Sequence, residues 1–475
     1  MNAWIVAAAA VAGVLIGCNG PPGDGHGAIV VGVAAALVAV VVTKRPIRVA
    51  AVAVCIAVTG IALAQRASNG LTHTDFPTFG AVTVRGALVG DADAIRFGAV
   101  ALLRVDHLDG EPVADRIVLL RASGDAGQRL ALLEAGDVIE VRGGIEPLGS
   151  FDERRIWEHV VATVRVSLLQ RMEPAPQWYW AVANAGRAVI LRGAAALPTT
   201  ERALMLGFLL GDTRALPQSV VDNFRAAGMS HLLAVSGANL TFLFAGLAPL
   251  LTRLGRRSRA VSMLAVVAVF GAMTRWEPSV IRAAAMVGVA VLAQHVGRPQ
   301  AASRVLALAI TVLVLLDPFL VMRVGFQLSV AACVGLVFVT PRIAERLRLP
   351  AVVTEGVSTT GGAIVGTAPV QLAVFGTVPL VAIPANLAAG ASAAVLTVWG
   401  FGATAAAGLL PGLAPVVHVP SVLLLRSQLA IAAIASRHPL AVDRRAVAAL
   451  VVAAALAALA WKVHAARRPA HMRAR

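Results

Sequence analysis

The sequence predicts a polytopic α-helical membrane protein that carries one small extracellular β domain. Three observations predict this. The chain is 58% hydrophobic, only 14% charged and has a mean hydropathy of +0.80, values typical of a multi-pass membrane protein. Apolar runs recur along most of its length. Only the window 66–172 breaks the pattern, with short stretches in which apolar and polar residues alternate.

The formal net charge of +16 over 475 residues does not by itself mark a nucleic-acid partner. Lys and Arg collect in the cytoplasmic loops of membrane proteins. The three cysteines, Cys18, Cys55 and Cys333, lie scattered in apolar segments, as small buried hydrophobes do. They form neither a disulfide framework nor a metal site, and no cofactor is implied.

Residues 1–65 hold three apolar runs, near 3–18, 28–43 and 48–64. The first two are short against the roughly 20 residues that cross a bilayer. The first lacks a basic flank and a cleavage site, so it is a retained span. The link "TKRPIR", with Lys44, Arg45 and Arg48, belongs in the cytoplasm. The N-terminus is then inside, and the chain emerges outside after residue 65.

Residues 66–172 contain "AVTVRGALV", "DRIVLLRA" and "DVIEVRGGIEPL", strand-like runs parted by Gly and Asp turns. About five such strands fit a small OB-like barrel; a generic β domain fits the same pattern. Residues 80–171 hold 11 Arg and no Lys against 14 acidic residues, so the domain has no general basic face. Arg154, Arg155 and Arg165 are its candidate DNA contacts.

Residues 173–229 begin with the interfacial cluster Trp178, Tyr179 and Trp180. The next helix carries Arg187 and Arg192 and reads as amphipathic, lying on the outer surface. A short helix opened by Pro217 follows, with Gly228 as its C-terminal cap.

Residues 230–465 form the main membrane domain, and 466–475 a basic tail. The domain opens with "SHLLAVSGANL", which places Ser230, His231, Ser236, Gly237 and Asn239 at the start of a membrane helix. Small and hydroxyl residues there serve close helix packing or a polar path. Between Glu355 and Arg426 no charged residue occurs, yet Gly, Pro and Thr are frequent. Helix breakers at membrane depth need a wet cavity or a protein neighbour, so Gly366 to Pro369 is expected to break its helix.

These strings resemble the ComEC competence proteins, which conduct single-stranded DNA across the bacterial inner membrane during natural transformation. The resemblance begins with "GDTRALPQSVVDNFRAAGMSHLLAVSGANL". It continues through "EPSVIRAAAMVGVAVLAQHVGRPQ", with Pro278 and Arg282, and through Asp317–Pro318 and the Gly325–Ser329 string. "GTAPVQLAVFGTVPLVAIPANLAA" adds Gly366, Pro369 and Asn386, and "GSFDERRIWEHV" resembles the end of the family's outer domain. The motifs run in register over most of residues 80–400. Asn239 departs from the pattern, which usually has a histidine there. An amide forms hydrogen bonds but does not titrate near neutral pH. No HxHxDH string occurs, so the nuclease-like domain of many relatives, and its activity, are not expected.

The resemblance implies an inner-membrane DNA channel with its β domain outside. Arg282 and Arg323 are then candidates to meet phosphate, with Ser230, His231, Ser236, Gly237, Asn239, Gln327, Ser329 and Asn386 as neutral wall. Asp317 would cap its helix or pair with Arg323. No phosphate-binding loop string is present. The driving force would come from a partner ATPase or a single-strand-binding protein inside, and delivery from a DNA receptor outside. A carrier of a small or lipid substrate on the same fold, and a remnant channel, are the alternatives.

Overall fold

The computed structural model describes residues 3–20, 45–72, 76–95, 97–235, 237–295, 297, 300–438 and 440–446. The second apolar run, Ser236, nearly all of the final run and the basic tail lie outside the described residues.

Helices α1 (Ala3–Asn19) and α2 (Arg45–Thr72) pack side by side. Their backbones nearly touch, since a Cβ on Gly13 would lie 2.0 Å from the carbonyl oxygen of Ala57. Small residues allow that approach where the hydrophobic effect cannot drive association.

The chain then forms a barrel from β1 (Gly80–Leu88), β2 (Asp93–Ile95), β3 (Gly98–Leu108), β4 (Glu111–Ser123), β5 (Val138–Glu146) and β6 (Val160–Glu173). The ladder runs β1-β5-β6-β4-β3, and β1 pairs again with β3, which closes five strands into a ring. Only the β4–β6 pair is parallel. Alternate residues point inward, as the period-2 pattern predicts: Val82, Val84, Leu103, Val105, Val118, Leu120, Ile139, Val141 and Val164 fill the interior. Helix α3 (Gly124–Leu130), between β4 and β5, adds Leu130 to this core.

The helical part follows as α4 (Trp178–Ala194), α5 (Thr199–Leu210), α6 (Gln218–Ala226), α7 (Ser230–Leu233), α8 (Gly237–Leu251), α9 (Arg256–Met273) and α10 (Pro278–His295). Next come α11 (Ala302–Leu316), a 3-10 turn (Pro318–Met322), α12 (Val324–Phe338), α13 (Thr340–Ala344), α14 (Ala351–Val374), β7 (Thr377–Pro379), α15 (Ala382–Leu409), α16 (Ala414–Ser436) and β8 (Ala441–Asp443). Among the described residues, four helices are long and apolar enough to cross a membrane: Val49–Leu71, Pro278–His295, Ala382–Leu409 and Pro411–Ser436. Helices α1, α8, α11 and α12 are apolar but shorter.

Three sequence expectations change here. First, α4 does not lie with both arginines facing out: Arg192 is exposed, but Arg187 is only 3% exposed. Glycine lets α4 sink onto α15, where a Cβ on Gly193 would lie 1.8 Å from the Thr404 carbonyl oxygen. Second, α14 runs unbroken through Gly366 and Pro369. Gly366 serves packing there, with a Cβ only 2.3 Å from the Ala331 carbonyl oxygen of α12. Third, "SHLLAVSGANL" is not one helix start. Helix α7 ends at Leu233, Ala234 is extended, and α8 begins at Gly237. The Ser279 hydroxyl donates to the Val235 carbonyl inside this break, which satisfies a group the helix leaves free.

Candidate functional site

A cavity of about 530 Å³ lies where the barrel meets the helices. From the barrel come Asp91 and Asp93 of the β1–β3 connection, Leu102 of β3, Leu119 of β4, and Arg154, Arg155, Trp157 and Glu158 of the β5–β6 connection. From the helices come Arg275, Trp276, Glu277 and Pro278, between α9 and α10, and Arg323 to Gly325 at the head of α12. Four arginines thus face four carboxylates, and the lining is balanced in charge. Burial pushes the Glu277 carboxyl above its ordinary range, and the Glu158 and Asp93 carboxylates add to this.

The α9–α10 connection is built with backbone strain. Arg275 and Trp276 both have positive φ, 56° and 53°. Such backbone in residues other than glycine costs about 1 kcal/mol or more each and is held only where the surroundings dictate it. The Trp276 N–H closes α9 by donating to the Gly271 carbonyl at 2.8 Å. Its ring lies against Gly271, where a Cβ would come within 2.5 Å. The turn thereby presents Trp276 and Glu277 to the cavity.

Below the cavity a polar column enters the helices. Pro278 opens α10, and Arg282 follows one turn later, 8% exposed. Gly325 lines the cavity at the head of α12, and Ser329 and Cys333 follow at one-turn intervals. Arg282 Nε donates to Ser329 Oγ at 2.6 Å, and Nη1 to Cys333 Sγ at 2.7 Å. Gly237 leaves room for the guanidinium, since a Cβ there would lie 3.1 Å from Nη2. Among the described residues, no carboxylate pairs with Arg282. A buried cation held by neutral groups alone is costly, and buried charges are ordinarily paired.

Two sets of polar contacts hold the barrel on the helices. In the first, Arg187 Nη2 donates to Asp91 Oδ2 at 2.7 Å and to Asp212 Oδ2 at 3.3 Å, and Nη1 to the Met273 carbonyl at 2.7 Å. Arg275 Nε donates to Asp91 Oδ1 at 2.9 Å, and Arg214 pairs with Asp212 and donates to the Ala92 carbonyl. Burial alone would raise the Asp91 carboxyl, but the Arg187 and Arg275 guanidiniums outweigh it and hold it below the usual range. Asp212 is held low against burial chiefly by its bonds from Arg214. In the second set, Asp317 Oδ1 lies 3.0 Å from His159 Nε2 and accepts from the Phe319 N–H, while Oδ2 accepts from Arg323 at 3.2 Å. Arg323 Nε also donates to the Trp157 carbonyl at 2.8 Å.

The candidate residues therefore separate. Arg282 and Ser329 meet, with Gly237 beside them. Arg323, Pro278, Arg154 and Arg155 line the cavity, and Pro318 starts the 3-10 turn that Asp317 caps. Arg165 lies elsewhere, paired with Glu146 at 2.7 Å, so the three barrel arginines do not form one patch. Asn239 is buried, and its Nδ2 donates to the Phe208 carbonyl at 2.8 Å, which ties α8 to α5. Gln327 donates to the Val321 carbonyl and steadies the 3-10 turn. Ser230 and His231 are exposed on α7 and are not among the residues that line this cavity; Asn386 is half-buried on α15. Gly228, φ 67°, follows α6 as a cap, with the Met229 N–H donating to the Phe224 carbonyl at 2.8 Å. Sequence reasoning missed Asp91, Asp212, Arg214, Arg275, Trp276 and Glu277. The strings "GDTR" and "TRWEPS" held five of them, in or beside the motifs quoted above.

A profile of the Competence protein family matches residues 208–468, more than half of the chain. The chain belongs to the ComEC competence-protein family. Over 228 residues, 46% of its length, this competence-family chain is 27% identical to "ComE operon protein 3" of Bacillus subtilis (strain 168). It spans 29% of that relative's length. No solved structure matches it.

Proposed function

We propose that this protein is a channel of the bacterial inner membrane that takes up single-stranded DNA during natural transformation, without catalysing a reaction. The observation that carries the reading is Arg282, a buried guanidinium with no acidic partner among the described residues, one turn below the cavity under the barrel. A phosphodiester is the anion such a position would meet in a channel for nucleic acid. Family membership and the similarity to a ComE operon protein support the same reading.

The barrel is of the OB type and extracellular in this reading. Its closed ring, with β4 parallel to β6 and α3 after β4, has the strand order of that fold. Its β3–β4 face and the β1–β3 and β5–β6 connections line the cavity, and OB folds bind oligonucleotides with the corresponding surfaces. A strand would enter between barrel and helices, pass Trp276 and Arg323, and descend along Arg282, Ser329 and Cys333. A DNA receptor outside would deliver the strand, and an ATPase or a single-strand-binding protein inside would draw it through. The lipid bilayer surrounds the apolar helices.

The test is internalisation of labelled DNA and transformation frequency in a deletion strain, complemented with the wild-type gene or with the Arg282→Ala and His231→Ala variants. Loss of cytoplasmic label in the deletion, restored by the wild-type gene and not by Arg282→Ala, is the expected result. Normal uptake without the gene would overturn the reading.

A further inference from the structure

A second cavity, of about 470 Å³, shares the β5–β6 connection with the first. Gly149, Phe151 and Asp152 line the second, and Arg154, Arg155 and Trp157 line the first. Asp152 sits between them. It accepts from Arg121 of the second cavity and pairs at 3.4 Å with Arg155 of the first. We propose that the second cavity holds an unpaired nucleobase of the incoming strand, one step before the strand reaches the first cavity. This rests on the DNA-uptake reading above.

Three features identify a base rather than another ligand. Phe151 is 99% exposed and lines the cavity. Exposed aromatic rings are the platforms on which single-strand-binding proteins stack bases. Thr163, on the wall, is only 2% exposed, and its Oγ1 has no hydrogen-bond partner among the described residues. A buried unpartnered hydroxyl is costly, and the edge of a base has donors and acceptors that would satisfy it. The described arginines of the cavity are already committed, Arg121 to Asp152 and Arg165 to Glu146, so among the described residues the site offers no free cation to a phosphate. An acyl chain would cover the Phe151 ring but leave the Thr163 hydroxyl unsatisfied.

The test uses the full chain in nanodiscs and fluorescence anisotropy with two labelled probes. One is an oligothymidylate about 15 nucleotides long, within the site size of such barrels. The other is an abasic oligonucleotide of the same length. Phe151→Ala is expected to weaken oligothymidylate binding by about 5- to 150-fold, the range for losing one stacked base, and to leave abasic binding unchanged. Thr163→Val is expected to weaken oligothymidylate binding by about 2- to 10-fold while holding or raising thermal stability. Wild-type affinity for oligothymidylate in these variants would overturn the proposal. A parallel loss for both probes would overturn it too, since it would assign the ring to folding or lipid contact. A wild-type chain that binds neither probe would overturn the uptake reading as well, so the two failures are told apart.

Discussion

Replacing Arg282 by Met separates a transport role from a structural one. Arg282 is 8% exposed, and among the described residues its guanidinium bonds to Ser329 Oγ and the sulfurs of Cys333 and Met286. A phosphate passing about 4 Å away would gain about 4 kcal/mol at an effective dielectric of 20. If half survives the desolvation of the phosphate, about 2 kcal/mol remains, a factor of about 30 in a step limited by that passage. Stability should move the other way. Met fills much of the volume and forgoes two or three hydrogen bonds, worth about 1 kcal/mol each. It also removes a buried charge whose desolvation costs several kcal/mol. Arg282→Met is therefore expected to lower uptake of labelled DNA by about 30-fold while keeping or raising the melting temperature of the purified protein. Arg282→Lys keeps the charge, loses the Nε bond to Ser329 and should fall between. A melting temperature lowered in step with uptake would refute the argument and make Arg282 a strut between α10 and α12; unchanged uptake would refute it outright.

Three further outcomes follow from the same geometry. Glu277 is pushed above its ordinary value of 4.5, so it is neutralised at a higher pH than a free carboxyl, as pH falls through its raised value. Oligonucleotide affinity should rise as the pH is lowered through that raised value, and Glu277→Gln should raise affinity and stability above it and flatten that response. Asp91 is held below its ordinary 3.8, so its stabilisation is present above that pH and is lost as pH falls through the lower folded value. Asp91→Asn takes the Asp91 carboxylate from Arg275 and leaves Arg187 to Asp212, and should cost about 3–5 kcal/mol at pH 7, seen as a lower melting temperature and faster proteolysis between barrel and helices; the difference from wild type should shrink at low pH. Gly335→Leu should prevent accumulation of folded protein, because a Cβ there would lie 2.0 Å from the Gly362 carbonyl oxygen of α14. Gly390→Ala, with nothing within 4 Å, is the tolerated control in membrane fractions.

The legible features were those that depend on residues near in sequence. Alternation in "AVTVRGALV" and "DVIEVRGGIEPL" predicted strands, since pleat geometry sets a period of two. Gly228 announced the end of α6, and Asp317–Pro318 a capped turn, because caps are local. The quoted motifs carried the family. Arg282 could be singled out, since a charge in an apolar run is rare.

Where the charges go was decided by the fold. Nothing near Asp91 in the sequence shows that Arg187 and Arg275 will meet it, 96 and 184 residues away. The break at Ala234 depends on Ser279, which reaches the Val235 carbonyl from another helix. Gly366 and Pro369 read as a broken helix because sequence shows a residue's intrinsic preference and not its neighbour; against Ala331 and Gly335 the glycine is a packing surface. Asn239 reads as a polar wall until the Phe208 carbonyl occupies its amide. The sequence by itself determined the class of the protein, its strands and caps and its family, because hydropathy, period and motif are local. Tertiary structure alone decided which polar groups are spent on one another and which, like the Arg282 guanidinium and the Thr163 hydroxyl, are left with affinity to offer, because pairing across the fold joins residues that the chain keeps far apart.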